Sequence, residues 1–582
     1  MKLSAMQIQA IVDATKTPTP EQVRVVEAPR RPLLVVAGAG SGKTETMSMR
    51  VLWLLANHPD LTPASILGLT FTRKAAGELG DRLRERIRLL ARQMPQMRER
   101  LDEDPVALTY NSFAERIVSE HGMRIGIDPD FSMLSEAGAL DLMTQIVEAW
   151  PTDLDEELRP IDAVPQVLHL AGELAEHGFT VERAREALEE LGRELSQVGD
   201  TNEEARKLLR ANRRRLAFLG PIATYQQRKR EMGVLDFSDQ LVLATRIVRE
   251  APAVRAALRE EFRAVLLDEF QDTSVIQMEL LSTLFGDHAV TAVGDPNQAI
   301  YGWRGASASS LETFLDRFQT GAPEAGQTLT LSTAWRNDVS ILDAANRVAA
   351  PLREVASYQQ GKDALKAQSP VLVPRKGAGQ GTVEIAYTQV YEDALAATVD
   401  FVKRVRSQAT KDGKRRTVAV LSRRRKDFPF IDAALREAGI PTEIVGLGGL
   451  LDQPAVQDVR AALELAYDVA ASPWLARLLA GIDLGATDLI ALGDRARALA
   501  REEGASPHQA VLLDAVDNPP NPGWAVEGRP AISEEAARRV RLLGERLRAV
   551  REGVGRSITE QVERAILIMG TLDDVIADPL SM

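Results

Sequence analysis

Short runs of uninterrupted apolar residues, each closed by small or polar ones, recur through the first half of the chain. Leu33-Leu34-Val35-Val36 leads into Ala37-Gly38-Ala39-Gly40, and Ile66-Leu67-Gly68-Leu69 into Thr70-Phe71-Thr72. Ala107-Leu108-Thr109-Tyr110 ends in Asn111-Ser112-Phe113, Ala264 to Leu267 precedes two carboxylates, and Ala289 to Val293 precedes Gly294-Asp295. Such runs, lacking polar alternation, predict strands of a parallel sheet buried on both faces. Between them the apolar period becomes helical. Ile8, Ile11 and Val12 mark a helix that Thr17-Pro18-Thr19-Pro20 ends, one helix starts near Lys43, and a long one runs from Lys74 through the Arg-rich stretch at 81–88. The segment from about Glu115 to Met232 is helical, with Leu140, Met143, Ile146 and Val147 on one stripe. It is too long for a connection and predicts an inserted helical subdomain. Asp236-Phe237-Ser238-Asp239 then caps a helix returning to the parent sheet. The expected fold is α/β, a parallel sheet with helical insertions.

Composition narrows the setting. The 582 residues include no cysteine, which excludes disulfides, Cys-ligated zinc and iron–sulfur clusters. No apolar core follows Lys2 before Gln7 and Gln9, and the most apolar later stretch, Leu478 to Leu492, is broken by Asp483 and Asp488. A soluble, cytoplasmic protein with no membrane partner is expected. The net charge of −12 argues against a protein that merely coats nucleic acid, yet leaves room for a local basic channel. Arg82–Arg88, Arg213–Arg215, Lys414–Arg416 and Arg423–Lys426 are the basic clusters, each also readable as a solvated face.

The loop Ala37-Gly38-Ala39-Gly40-Ser41-Gly42-Lys43-Thr44, between a buried strand and a helix, has the context of a phosphate-binding loop. Gly38, Gly40 and Gly42 would let successive N–H groups face one anion at the helix N-terminus. Lys43 would reach the β- and γ-phosphates of ATP, and Thr44 would place its hydroxyl on Mg²⁺. Ala37 stands where the usual pattern opens with Gly. Asp268 and Glu269 are the carboxylates such a loop needs, Asp268 to hold Mg²⁺ and Glu269 to orient and deprotonate the attacking water. Gln22 carries a donor and an acceptor that could read an adenine edge, although alone such a residue is more often plain surface. Phe71, Thr72, Tyr110 and Ser112 would gather at the carboxyl edge of the sheet, where aromatics stack bases and hydroxyls hold phosphates. Phe71 and Phe113 as core is the competing reading. Gln298 could sense the γ-phosphate, and Tyr301 and Trp303 offer stacking faces nearby, with Trp303 as core the alternative.

In this order the motifs resemble the UvrD/Rep family of superfamily 1 DNA helicases. The resemblance rests on residues 19–22, 37–44, 70–76, 109–112, 236–239, 268–272, 294–306 and Trp335-Arg336-Asn337, and reaches about residue 460 through Ile440-Pro441 and Pro454-Ala455-Val456. It implies ATP and Mg²⁺ as cofactors, with Gln22 reading adenine and Trp335 stacking on it where relatives more often carry Tyr. It implies Arg336 as an arginine finger from the second motor domain, Gln298 as a coupler of phosphate state to DNA grip, and Phe71, Tyr301 and Trp303 on single-stranded bases. Glu45 stands where relatives often place Arg against adenine, and Asn111 replaces a more usual His. Residues 110–114 also resemble large actinobacterial helicase–nucleases.

The implied architecture is RecA-like. Residues 1–114 and 235–328 form a first motor domain around the inserted subdomain 115–234. Residues 329–470 begin the second motor domain, and 471–582 are a helical accessory subdomain. Neither a Lys-Gly-Leu-Glu nor a Val-Ala-Leu-Thr-Arg stretch, the family's last two motifs, is present, so the second motor domain is expected to be incomplete. The expected function is ATP-dependent translocation on single-stranded DNA with unwinding at duplex junctions, 3′-to-5′, in repair or recombination. The alternatives are a fragment that binds ATP and DNA or a partner without efficient turnover, and one subunit of a heterodimeric helicase–nuclease.

Overall fold

The computed structural model describes residues 2–128, 131–155, 158–197, 203–302, 305–306, 309–319, 321, 326–359, 368–408, 413, 415–445, 454–469, 471–502, 504 and 510–572. Its contacts divide the chain into two compact units, residues 1–383 and 384–582.

The first unit is built on six strands: β1 (Leu33–Ala37), β2 (Ile66–Thr70), β3 (Val106–Thr109), β4 (Ala264–Leu267), β5 (Val290–Gly294) and β6 (Gln327–Leu331). They lie side by side as β3-β2-β4-β5-β1-β6, and every pair is parallel. In the central strands every residue is buried, which explains their unbroken apolar sequences. Val36 lies opposite Gly294, and Leu69 opposite Leu267, so the loops after β1, β2, β4 and β5 leave from one edge. One face carries a core of Phe113, Ile117, Leu241, Phe262, Phe270 and Phe314. The other carries Met47, Leu52, Leu55, Leu79, Leu83 and Ile87. Each fully buried Phe or Leu contributes roughly 1.5–3 kcal/mol, so the sheet is a rigid platform for its loops.

Two features of this unit depart from expectation. The boundary expected between 328 and 329 cuts through β6, which pairs with β1 along Leu33 to Ala37 and belongs to the first sheet. As an edge strand it alternates polar and apolar residues, so it lacks the signature of its neighbours. In the helical insertion, Met143, Ile146 and Val147 are buried together with Val167, Phe218 and Ile222, but Leu140 is exposed and Leu142 takes its place.

The insertion returns to the sheet through a charged joint. Lys229, on the long helix Glu203–Met232, is buried and bonds Asp236 Oδ2 (2.5 Å) and Asp239 Oδ2 (2.6 Å). These carboxylates also cap the helix Phe237–Glu250, Asp236 accepting from the N–H groups of Ser238 and Asp239. Burial works to raise both carboxyls; at Asp236 the Lys229 ammonium outweighs it and the pKa falls, whereas at Asp239 burial prevails and it rises.

Among its described residues the second unit is helical. Tyr391–Ser407 and Phe428–Glu437 bury Val402, Leu435 and Ile440 together. Six described helices between Pro454 and Met569 enclose Leu465, Leu475, Leu492, Val540 and Leu547. The parallel sheet expected within 329–470 is not formed among the described residues of this unit: Ile385, Tyr387, Leu421 and Val445 lie outside helices and strands, 85–97% exposed. No described helix is long and apolar enough to cross a membrane.

Candidate nucleotide site and nucleic-acid cleft

The loop after β1 turns tightly because Gly40 and Gly42 adopt φ of 74° and 82°, which a side chain would strain. Gly38 differs from expectation: its φ is ordinary, and a Cβ there would strike the Leu372 side chain. Gly42 is the N-cap of the helix Lys43–Asn57 and supplies no side-chain cap, so the first-turn N–H groups face the loop without one. Ser41 is buried, and its Oγ has no hydrogen-bond partner among the described residues. An uncapped helix start, a partnerless buried hydroxyl and a lysine fit a bound phosphate chain. Ala37 ends β1 in the core, Ala39 completes the turn, and Thr44 is half-buried on the first helical turn.

Lys43 Nζ bonds Glu269 Oε2 at 2.7 Å, so the phosphate loop and the end of β4 meet although β5 separates their strands. Glu269 is one of few non-glycine residues with positive φ (48°), a conformation costing about 1–3 kcal/mol that its surroundings must enforce. Gln271 does part of this, donating from Nε2 to Glu269 Oε2 (2.9 Å) and accepting on Oε1 from the Asp295 N–H (3.0 Å). Asp268 is buried beside it. Burial, and then the Glu269 charge, lift its pKa to about 6, so a nearby cation is needed to hold it fully ionised.

Two residues expected at the base flank Gly42. Gln22 Nε2 and Trp335 Cδ1 lie 3.1 and 3.7 Å from the position a Cβ on Gly42 would take. Gln22 Oε1 accepts from the Thr19 N–H (2.9 Å) in a capping box, which leaves the amide nitrogen turned to the loop. The Trp335 N–H donates to Gly40 O at 2.8 Å, and the half-exposed indole stands beside the loop. Arg336 is exposed, with its Cβ 3.0 Å from the Cβ position of Gly40. Both therefore belong to the unit that carries the phosphate loop, not to a second one, because the turn after β6 is stitched to that loop. Glu45 meets an arginine after all: its Oε2 accepts from Arg86 Nη2 at 2.5 Å, brought in by the helix Arg73–Gln93.

Gln298, half-buried, donates through Nε2 to Asp295 Oδ2 (2.7 Å), while Asp295 Oδ1 accepts from Ser369 Oγ (2.9 Å). The Phe71 and Tyr301 rings stack with centroids 4.5 Å apart, which joins the loops after β2 and β5. Trp303 lies outside the described residues. Thr72 is exposed but caps the helix Arg73–Gln93 through Ala75 N–H, and Ser112 is bonded to Thr109 at a helix start. Tyr110 departs from expectation. It is buried, and its hydroxyl donates to Asp268 O (3.1 Å), so it braces the end of β4 from within the core. Burial raises its pKa. Asn111 Oδ1 accepts from Gln277 Nε2 (3.3 Å). Between this edge and the helical insertion lies a cleft of about 540 Å³, lined by Phe71, Arg73, Asn111, Ser112, His169 and Phe237 among others.

One residue was not singled out by its motif. Arg50, two turns beyond Lys43, is 1% exposed, and its guanidinium bonds the carbonyls of Val25, Val26, Ala28 and Pro29 and the Thr291 hydroxyl. It fastens the helix that carries Gln22 to the phosphate-loop helix and to β5. Its signal in the sequence is a lone arginine inside the apolar run Met47 to Leu55.

Comparison with known proteins shows what the chain is similar to. The chain is 27% identical over 464 residues to DNA helicase II of Escherichia coli, covering 76% of this chain and 54% of that one. It is 26% identical over 461 residues to DNA helicase II of Haemophilus influenzae (79% and 55%) and over 458 residues to ATP-dependent DNA helicase PcrA of Staphylococcus aureus (76% and 53%). The chain thus spans about half the length of these relatives. The model of the UvrD/REP helicase N-terminal domain matches residues 18–319, more than half of the chain and nearly all of the sheet, from the helix of Gln22 to the loop before β6. This chain belongs to the UvrD/REP helicase family.

Proposed function

We propose that the chain is the ATP-hydrolysing part of a motor that moves along single-stranded DNA and opens duplex junctions, as the motif resemblance implies and as suits relatives named DNA helicases. The observation that carries this reading is the Lys43–Glu269 contact at the mouth of an uncapped phosphate loop, one strand away from the Phe71–Tyr301 stack. Gln22 and Trp335 would hold the adenine. Residues 37–44 would cradle the phosphates, and Thr44 and Asp268 would hold Mg²⁺. Among the described residues no cluster of three or more His, Cys, Asp or Glu could hold a metal alone, which suits an ion that arrives with the nucleotide. When bound, Mg²⁺ and the triphosphate supply the electrophile and its charge neutralisation. Lys43 then exchanges its carboxylate partner for phosphate oxygens, freeing Glu269 to accept a proton from water. Arg336 adds positive charge at the γ-phosphate, and Gln298 relays the nucleotide state through Asp295 toward Tyr301. The 3′-to-5′ sense and a role in repair or recombination come from the family resemblance. A second reading, in which ATP and DNA are bound without efficient turnover, alone or as one subunit of a helicase–nuclease, is favoured by the absence of a sheet among the described residues of the second unit.

Binding of a labelled oligo(dT) tests the DNA part. Phe71→Ala is expected to weaken it by about 1–3 kcal/mol, the value of one stacked base. Tyr110→Phe, which removes only a buried hydroxyl, is expected to leave affinity unchanged while lowering stability by about 1 kcal/mol. Equal affinity in wild type and Phe71→Ala would contradict the assignment of the cleft edge to DNA.

A further inference from the structure

We propose that Glu21 is a positioning residue for base recognition, a clasp that sets Gln22 against Trp335; this rests on the nucleotide site described above. Glu21 Oε2 accepts from the Ser332 N–H and Oε1 from Ser332 Oγ, both at 2.8 Å. Both carboxylate oxygens are thus spent on one residue 311 positions away. Glu21 precedes Gln22 in the helix Pro20–Val26, and Ser332 lies three residues before Trp335. A helix of seven residues does not hold itself in water, so its orientation depends on what ties it down. Arg50 ties its C-terminal end, through the carbonyls of Val25 and Val26. The Glu21 clasp ties the first turn, where the negative charge is also favoured by the helix dipole.

The clasp closes a circuit. From Gln22 the links run through Glu21 to Ser332, along the chain to Trp335, across its N–H to Gly40 O, and back to Gly42, which both Gln22 and Trp335 approach. A charge-assisted pair of hydrogen bonds on a half-buried carboxylate is stiff, and one group therefore fixes the spacing of two residues that both approach Gly42. Among the described residues the Glu21 carboxylate bonds Ser332 and makes no hydrogen bond to the phosphate loop. Its loss should disturb recognition of the base and spare recognition of the phosphates.

The test uses the full chain and two probes, a fluorescent ATP analogue and inorganic tripolyphosphate, in Glu21→Ala, Ser332→Ala, the double variant, Gln22→Ala and Trp335→Ala. Expected is a loss of about tenfold in affinity for the ATP analogue in Glu21→Ala and in Ser332→Ala, with the double variant no worse than either. Tripolyphosphate affinity should stay at its wild-type value, and Glu21→Gln, which keeps one acceptor, should recover part of the loss. If Gln22→Ala and Trp335→Ala weaken the analogue but Glu21→Ala does not, the clasp is refuted and the base site stands. Equal losses for both probes would make Glu21 a general structural residue and overturn the proposal. If neither Gln22→Ala nor Trp335→Ala weakens the analogue, the base site fails and the clasp with it.

Discussion

Glu269→Gln is expected to lower ATP hydrolysis by about 10³-fold while Mg·ATP binding persists. The side chain is held in place by Lys43 (2.7 Å) and Gln271 (2.9 Å) on a backbone at φ 48°, a costly arrangement that ordinary packing does not require. An amide in its place keeps the shape and the Gln271 neighbour but cannot take a proton from water. Lys43→Ala should act differently, reducing binding itself, because the loop then lacks its only side-chain cation. Single-turnover hydrolysis together with equilibrium binding separates the two effects. A Glu269→Gln variant within tenfold of wild type in turnover would remove Glu269 from the chemistry.

Arg50→Met is expected to cost about 1–3 kcal/mol, the range for leaving buried polar groups without a donor. Methionine fills much the same volume, so the loss isolates the hydrogen bonds. It takes a donor from four carbonyls and the Thr291 hydroxyl; Val25 O and Pro29 O keep the backbone N–H groups of Ala28 and Arg31. Among the described residues no carboxylate pairs with this guanidinium, and burial lowers its pKa to about 10, which still leaves it charged at neutral pH. Arg50→Lys keeps the charge but cannot reach all five acceptors, and should fall between the two. Urea titration followed by hydrogen exchange at β1 and β5 reads the effect locally, where global two-state analysis does not suit a chain of two units. A cost under about 1 kcal/mol would mean that the carbonyls find other donors.

What could be read from the sequence was local. The phosphate loop, the carboxylates after Leu267 and the order of motifs are contiguous strings whose chemistry depends on neighbours in the chain. The central strands announced themselves through unbroken apolar runs, which only a sheet buried on both faces demands. The fold's long-range pairings were invisible by the same logic. Tyr110 reads like an edge aromatic until its hydroxyl is seen to donate to Asp268 O, 158 positions away. Glu45 reads as a lost arginine contact until Arg86 is seen beside it, and β6 is cut by the expected boundary because its alternating edge-strand pattern lacks an unbroken apolar run. Arg50 and Glu21 belong to this class, since a lone charge in a sequence carries no hint of which carbonyls or hydroxyls it will meet.

The most direct measurement of the central claim is Mg·ATP hydrolysis by this chain, with and without single-stranded DNA, beside Lys43→Ala. The site described here predicts hydrolysis that single-stranded DNA stimulates and that Lys43→Ala abolishes. Hydrolysis of equal rate in wild type and Lys43→Ala, or indifferent to DNA, would contradict it.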